Sequence, residues 1–208
     1  MNKFSLFTDN CTFSEVAIIL DASFSIRNEF DEEREAAAQL ASTIGVSDGS
    51  IGNRIGLGTF STNSTIEFYC NDHTNLTTMI PDILDTSRES RRTNIRAGLL
   101  RGEEILTSNG CGERIDVTSR VIIIFSDGGN NEPNTANSDQ ELIDEANRLR
   151  NDENFIIVAI GIGDSINEQQ LRSISDIFVP VALNDLNTGI IVQQVINNTI
   201  CGKAQFRS

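Results

Sequence analysis

Asp21-Ala22-Ser23-Phe24-Ser25 places oxygen-bearing side chains at alternate positions, directly after a short apolar run, Glu15 to Asp21 (EVAIILD). A second apolar run, Arg120 to Asp127 (RVIIIFSD), also ends in an acid, and Gly128-Gly129 then frees the backbone. Thr93 stands in Arg92-Thr93-Asn94-Ile95, just ahead of a helical pattern that starts near Asn94. A loop of the first kind turns one carboxylate and two hydroxyls toward a common point above a sheet edge. Oxygen donors of this type suit a hard cation. Mg²⁺ asks for about six oxygens, keeps several waters and takes one or two carboxylates from the protein. Two Asp, two Ser and one Thr leave at least one position for water or a ligand oxygen. A partner Asp or Glu would fit there. The expected cofactor is therefore Mg²⁺, with Mn²⁺ or Ca²⁺ as alternatives.

Each of these residues also has a plainer use. Ser23, Ser25 and Thr93 are good helix N-caps. An Asp at the end of a strand is often a turn residue. The joint pattern favours a site, because every piece falls at the same edge of the sheet inferred next. At an edge outside the core, Asp21→Ala and Asp127→Ala are expected to abolish metal binding without unfolding.

Glu15 to Asp21, Arg120 to Asp127 and Phe155 to Gly163 (FIIVAIGIG) read as strands buried on both faces, as in a parallel sheet. Arg54 to Phe60 and Thr65 to Tyr69 alternate more. The turn-formers Ser61 to Ser64 between them indicate a hairpin and an antiparallel edge. Ile177 to Leu183 is a last short strand. Helical stripes run through Phe30, Ala37, Leu40, Ala41 and Ile44, and through Ile95, Leu99, Gly102 and Leu106, with Gly98 allowing close approach to the sheet. Further stripes are Leu142, Ala146 and Leu149, then Leu186, Ile190, Ile191 and Val195. Strand and helix alternate, which means an α/β fold with helices on both faces. Ligands of such sheets bind at the carboxyl ends of the strands, where strand order reverses.

The formal net charge is −14. Residues 1–104 carry nine basic and sixteen acidic side chains and residues 105–208 seven and fourteen, so each half is −7 and no tail holds the charge. Such a surface disfavours nonspecific binding to nucleic acid or anionic lipid and concentrates cations. No apolar run approaches the roughly 18 residues that span a bilayer, so no direct membrane insertion is expected. Four cysteines allow three pairings. Cys11 precedes the first strand and Cys201 follows the last helical stripe; chain ends often lie close in one domain, so Cys11–Cys201 is the preferred bridge. Cys70 and Cys111 are left to pair.

On these residues the chain resembles a von Willebrand factor type A domain, also called an integrin I-type domain. That family's metal-ion-dependent adhesion site has the pattern D-x-S-x-S, a distant Thr, and a distant Asp ending an apolar strand before Gly. Here these are Asp21, Ser23, Ser25, Thr93 and Asp127. Val158 to Gly163 is similar to the family's fifth strand, and the resemblance covers residues 11–201, leaving 1–10 and 202–208 as flanking termini. It implies a doubly wound, mostly parallel six-stranded sheet of order 3-2-1-4-5-6 with strand 3 antiparallel. It also implies that Asp21 reaches the metal through water and that Ser23 and Ser25 coordinate directly. Thr93 and Asp127 would exchange between direct and water-mediated contact when ligand binds. Family members are mostly adhesion, matrix or receptor proteins. The expectation is thus an extracellular module, secreted or part of an ectodomain, that grips an acidic residue of a matrix protein or cell-surface receptor.

The sequence departs from the family pattern in three places. Phe24 stands where Gly is common, either as a rim residue that touches the partner or packed back on the loop. Arg91 and Arg92 precede Thr93 where Gly is common, and would attract an acidic partner or merely offset the acidic surface. Ser126 stands where Thr is common. In the family, movement of the last helix, here roughly residues 185–199, couples to the metal site, and a Cys11–Cys201 bridge would limit it.

An enzyme is not expected. The single histidine, His73, falls among Asn71, Asp72 and Asn75 in what reads as a solvated surface turn. Gly163-Asp164-Ser165 has no histidine after it, and no phosphate-binding glycine motif is present. No Cys/His cluster has zinc-ligand spacing. The alternatives are a structural matrix module with an idle metal site, and an intracellular scaffold of the same fold.

Overall fold

The computed structural model describes residues 14–26, 29–47, 52–107, 111, 119–131, 138–163 and 165–181. Its elements run β1 (Ser14–Asp21), α1 (Phe30–Ile44), β2 (Arg54–Phe60), β3 (Ser64–Phe68), α2 (Leu76–Asp85), α3 (Ile95–Thr107), β4 (Ser119–Ser126), α4 (Ser138–Asn151), β5 (Ile156–Ile162), α5 (Glu168–Ile174) and β6 (Ile177–Val181). The six strands form one sheet of order β3-β2-β1-β4-β5-β6. Only the β2–β3 pair is antiparallel; β1 lies parallel to β2 and β4. This is the doubly wound topology that the family resemblance implied. The expected last helix and the pair Cys11 and Cys201 lie outside the described residues, as do the ends of the 11–201 domain.

Alternation along β1 divides the interior in two. Val16, Ile18 and Leu20 pack on one face with Phe30, Ala37 and Leu40 of α1 and with Met79 and Ile83 of α2. Ala17 and Ile19 pack on the other with Leu99 of α3, Leu142 of α4 and Leu171 of α5. Because β1 is covered on both faces, its apolar run is continuous rather than alternating. Gly98 brings α3 onto the sheet: a Cβ there would sit 2.8 Å from the Phe60 ring. Cys70 and Cys111 form a disulfide, with their Cα atoms 4.6 Å apart. It ties the end of the β2–β3 hairpin to the segment after α3. Among the described residues, no helix is long and apolar enough to cross a membrane.

The chain leaves β1 outward through β2 and β3 and returns to β4 on the other side of β1. Strand order therefore reverses between β1 and β4, and their carboxyl ends open a crevice. Asp21 ends β1 and Asp127 follows β4, so this topology sets both acids at that crevice.

Candidate metal centre

The loop after β1 is held almost as an extra strand. Ala22 N donates to Phe60 O at 2.7 Å, Ser90 N to Ala22 O at 2.9 Å and Phe24 N to Arg91 O at 2.7 Å. Ser23 and Arg91 thereby form an isolated parallel bridge. This pinning fixes the alternate side chains of the loop. Ser23 and Ser25 hydroxyls lie 3.1 Å apart, and Ser25 Oγ lies 3.5 Å from Thr93 Oγ1. Three hydroxyls from two loops 68 residues apart thus meet at one place.

Thr93 is free for this role because its neighbour does the capping. Asn94 Oδ1 accepts from Ala97 N at 3.0 Å in the first turn of α3. Ser23 and Ser25 do not cap α1 either, since that helix begins only at Phe30 and Glu29 occupies its N-cap position. The cap alternatives for these three residues are therefore set aside.

Asp21 is fully buried. Its Oδ1 accepts from Ser23 N at 3.0 Å and its Oδ2 from Ser126 Oγ at 2.7 Å. Burial pushes its carboxyl from an ordinary 3.8 up to about 7; the hydrogen bonds from Ser126 and Ser23 oppose this, and the charge of Asp127 adds to it. The expectation that Asp21 lies outside the core is thus corrected: its carboxylate is enclosed beneath the crevice. Ser126 Oγ also accepts from Gly128 N at 3.0 Å, which links the Asp21 carboxylate to the turn carrying Asp127. Gly128 has φ 78°, and a Cβ there would lie 2.8 Å from Asn167 O, so the turn needs glycine. Asp127 is half-buried; its Oδ1 accepts from Gly129 N at 2.8 Å, and its carbonyl accepts from Asn167 N at 2.7 Å. Asn131 N donates to Thr93 O at 2.8 Å, and Ile95 N to Asn130 Oδ1 at 3.3 Å. These bonds join the Thr93 and Asp127 loops.

Sequence reasoning missed Glu33. It is fully buried in α1, and its Oε2 accepts from the backbone N–H of Asp21 at 3.1 Å. Burial, then the neighbouring Asp21 charge, hold its carboxyl well above the usual range. Glu33 Oε1 has no hydrogen-bond partner among the described residues. No Arg or His among the described residues forms an ion pair with Asp21, Glu33 or Asp127.

The donors present fit a hard divalent cation: the enclosed acids have no cationic partner among the described residues, and the Ser23, Ser25 and Thr93 hydroxyls converge at one place. Among the described residues there is no group of three or more His, Cys, Asp or Glu that could hold a metal, so the hydroxyls are needed to complete any site.

Above Ser25 and Thr93 opens a groove of about 820 Å³, lined also by Phe24, Arg91, Arg92, Asn130 and Asn131. Phe24 is 61% exposed, so it stands at the rim rather than packing back on its loop. Arg91 and Arg92 are exposed as well. His73 is a correction. It is buried, not solvated: its ring meets Phe68 edge-on, Nδ1 lies 3.1 Å from Thr78 Oγ1, and Nε2 lies 3.1 Å from Asp82 Oδ2. It braces α2, on the opposite face of the sheet from α3.

The family model for the von Willebrand factor type A domain matches residues 15–186. The chain belongs to that family. Its members generally mediate adhesion between proteins. Among solved structures, proximal thread matrix protein 1 from the mussel byssus superposes with a TM-score of 0.70 at 21% identity over 92% of this chain. The chain spans about half of that protein, 47% of its length. A second structure of the mussel protein, with a zinc-occupied MIDAS motif, gives a TM-score of 0.69 at 22% identity, covering 89% of this chain and 46% of that one. The BatB protein from Bacteroides thetaiotaomicron gives 0.64 at 16% identity, over 88% of this chain and 97% of its own. At these identities the likeness is one of fold. No curated protein matches the chain in sequence.

Proposed function

We propose that this domain is an adhesion module that binds an acidic residue of a protein partner through a divalent cation held by Asp21, Ser23, Ser25, Thr93 and Asp127. The observation that carries the reading is the enclosed Asp21 carboxylate, unpaired with any cation among the described residues and roofed by the hydroxyls of Ser23, Ser25 and Thr93. A bound cation would supply positive charge there and an open coordination position for the partner's carboxylate. Ser23 and Ser25 would hold it directly and Asp21 through water. Thr93 and Asp127, from separate loops, are the residues free to change contact as ligand arrives. Phe24, Arg91 and Arg92 form the rim that meets the partner.

Mg²⁺ is the proposed cofactor, with Mn²⁺ and Ca²⁺ as alternatives. The zinc in the mussel protein's MIDAS motif supports a divalent site of this type and makes Zn²⁺ a necessary comparison. The same protein's name, a thread matrix protein, supports an extracellular setting, as does the Cys70–Cys111 disulfide. It equally suits the second reading, a matrix module whose metal site is idle. A non-enzymatic role is part of the proposal.

The test is calorimetric titration of Mg²⁺, Mn²⁺, Ca²⁺ and Zn²⁺ into chelator-treated protein, repeated with Asp21→Asn and Asp127→Ala. Wild type is expected to take up one cation and both variants to lose it while keeping their circular dichroism. Uptake that survives both substitutions contradicts the site. Uptake without any chelator-sensitive partner binding favours the idle module.

A further inference from the structure

The described residues contain eleven arginines and no lysine. Nine of those guanidinium groups bond within the molecule: Arg34, Arg54, Arg88, Arg96, Arg101, Arg120, Arg148, Arg150 and Arg172 each meet a carboxylate, carbonyl or amide oxygen. Arg91 and Arg92 are the exceptions; among the described residues their guanidinium groups have no partner. In a chain of net charge −14, the two unpartnered cations among the described residues are adjacent, exposed, and lining the groove above the candidate metal centre.

Their placement is fixed. The Ser90 and Phe24 backbone bonds stitch this segment to the metal loop, and Ser90 turns the chain with φ 57°, a left-handed conformation unusual for serine. Arg91 pairs with Ser23 across the parallel bridge. Bridged backbones lie about 4.8 Å apart, and an extended ligand advances about 3.3 Å per residue. A carboxylate that meets a guanidinium here therefore belongs to a residue roughly one to three positions from the one at the metal. The planar fork of arginine matches a carboxylate bidentately.

We propose that the partner presents an acidic cluster: a short extended peptide segment with at least two carboxylates, the first at the metal centre and the second at Arg91 or Arg92. This rests on the metal-dependent reading of the same site and adds the class of ligand. Exposed Phe24, bonded through its N–H to Arg91 O, gives an apolar neighbour in that segment a ring to rest on. The protein's overall negative field repels acidic surfaces at a distance. The arginine pair therefore selects a dense local cluster over a diffuse acidic face.

The probes are short neutral peptides with one glutamate, and the same peptides with a second glutamate moved stepwise along the chain. Binding is measured in Mg²⁺ and in chelator, on wild type and on the Arg91→Gln/Arg92→Gln double variant. In Mg²⁺, wild type is expected to bind the best two-glutamate peptide about tenfold more tightly than the one-glutamate peptide, an advantage that shrinks with salt. The variant is expected to lose this gain, its two-glutamate to one-glutamate affinity ratio falling to about one, while its Mg²⁺ uptake stays as in wild type. A gain that persists in the variant overturns the proposal, as does a wild type that takes up Mg²⁺ but ignores the second glutamate. Tight binding of a heparin fragment through the same arginines, indifferent to Mg²⁺, overturns the peptide class. Absence of Mg²⁺ uptake by wild type is a different result, and it defeats the metal reading itself.

Discussion

The two ends of β1 both bury an acid, and they treat it in opposite ways. At the amino end Glu15 is fully buried, and Arg120 from the neighbouring β4 approaches it, Nε to Oε2 at 3.5 Å. At the carboxyl end Asp21 is equally buried, Glu33 lies against its backbone, and no arginine among the described residues pairs with either acid. Buried charge is tolerated when it is paired. The amino end is thus given a counter-charge by the fold, whereas the carboxyl end holds two buried acids beneath three hydroxyls with no counter-charge among the described residues. The same strand shows what a structural acid and a functional acid look like: the difference is whether the chain provides the counter-charge or leaves it to a ligand.

Removing the half-buried acid of the site should give the largest effect on metal. Asp127→Ala is expected to weaken Mn²⁺ binding more than about 100-fold, beyond what loss of an outer partner usually costs. Calorimetry on folded protein checks it. Binding within a few-fold of wild type would erase the contrast between the two ends.

Acidity acts next. Asp21 has its carboxyl raised from 3.8 to about 7 in the folded, metal-free protein, mainly by burial. Between these values the folded state holds more protons than the unfolded chain, so stability present at low pH is lost as pH rises through about 7. Glu33 is shifted in the same direction. A bound cation requires the ionised form, so Mn²⁺ affinity should instead weaken below about pH 7, approaching about tenfold per unit. Melting temperatures in chelator, and Mn²⁺ titrations over the same pH range, should therefore run in opposite directions. Parallel trends would mean that Asp21 does not serve the metal.

Ser126→Ala should act more mildly. It removes the donor to Asp21 Oδ2 and the acceptor for Gly128 N, so the Asp21 carboxylate loses its tie to the Asp127 turn. About a tenfold loss of Mn²⁺ affinity is expected by calorimetry. Glu15→Gln sharpens the comparison from the other side. It should lower stability in urea by about 1–3 kcal/mol, because Arg120 loses its charged partner, and leave Mn²⁺ affinity untouched. A matching loss of metal affinity would show that the two ends are coupled.

The strands bearing Asp21 and Asp127 were legible because a parallel strand buried on both faces needs an unbroken apolar run, and few other elements do. The sheet order came with the family resemblance. Two helices were not anticipated. Pro81 lies inside α2 and breaks the usual helical signature, and α5 is only seven residues long. Glu33 was hidden in plain view: Asp31-Glu32-Glu33 reads as an acidic first turn facing solvent, as acids at helix N-termini commonly do. Its phase was the available signal, since Phe30, Glu33, Ala37, Leu40 and Ala41 fall on one stripe of α1. His73 misled in the reverse direction. Asn71, Asp72 and Asn75 around it are turn formers, but Asn75 caps α2, and the histidine folds under that helix against Phe68. Local composition reports the turn and is silent on what packs over it.

A crystal grown or soaked with Mn²⁺, with anomalous diffraction recorded, addresses the central claim most directly. The account predicts one anomalous peak within coordination distance of the Ser23 and Ser25 hydroxyls, between Thr93 and Asp127 and above Asp21. A map with no peak there, or with manganese only elsewhere on the acidic surface, would contradict it.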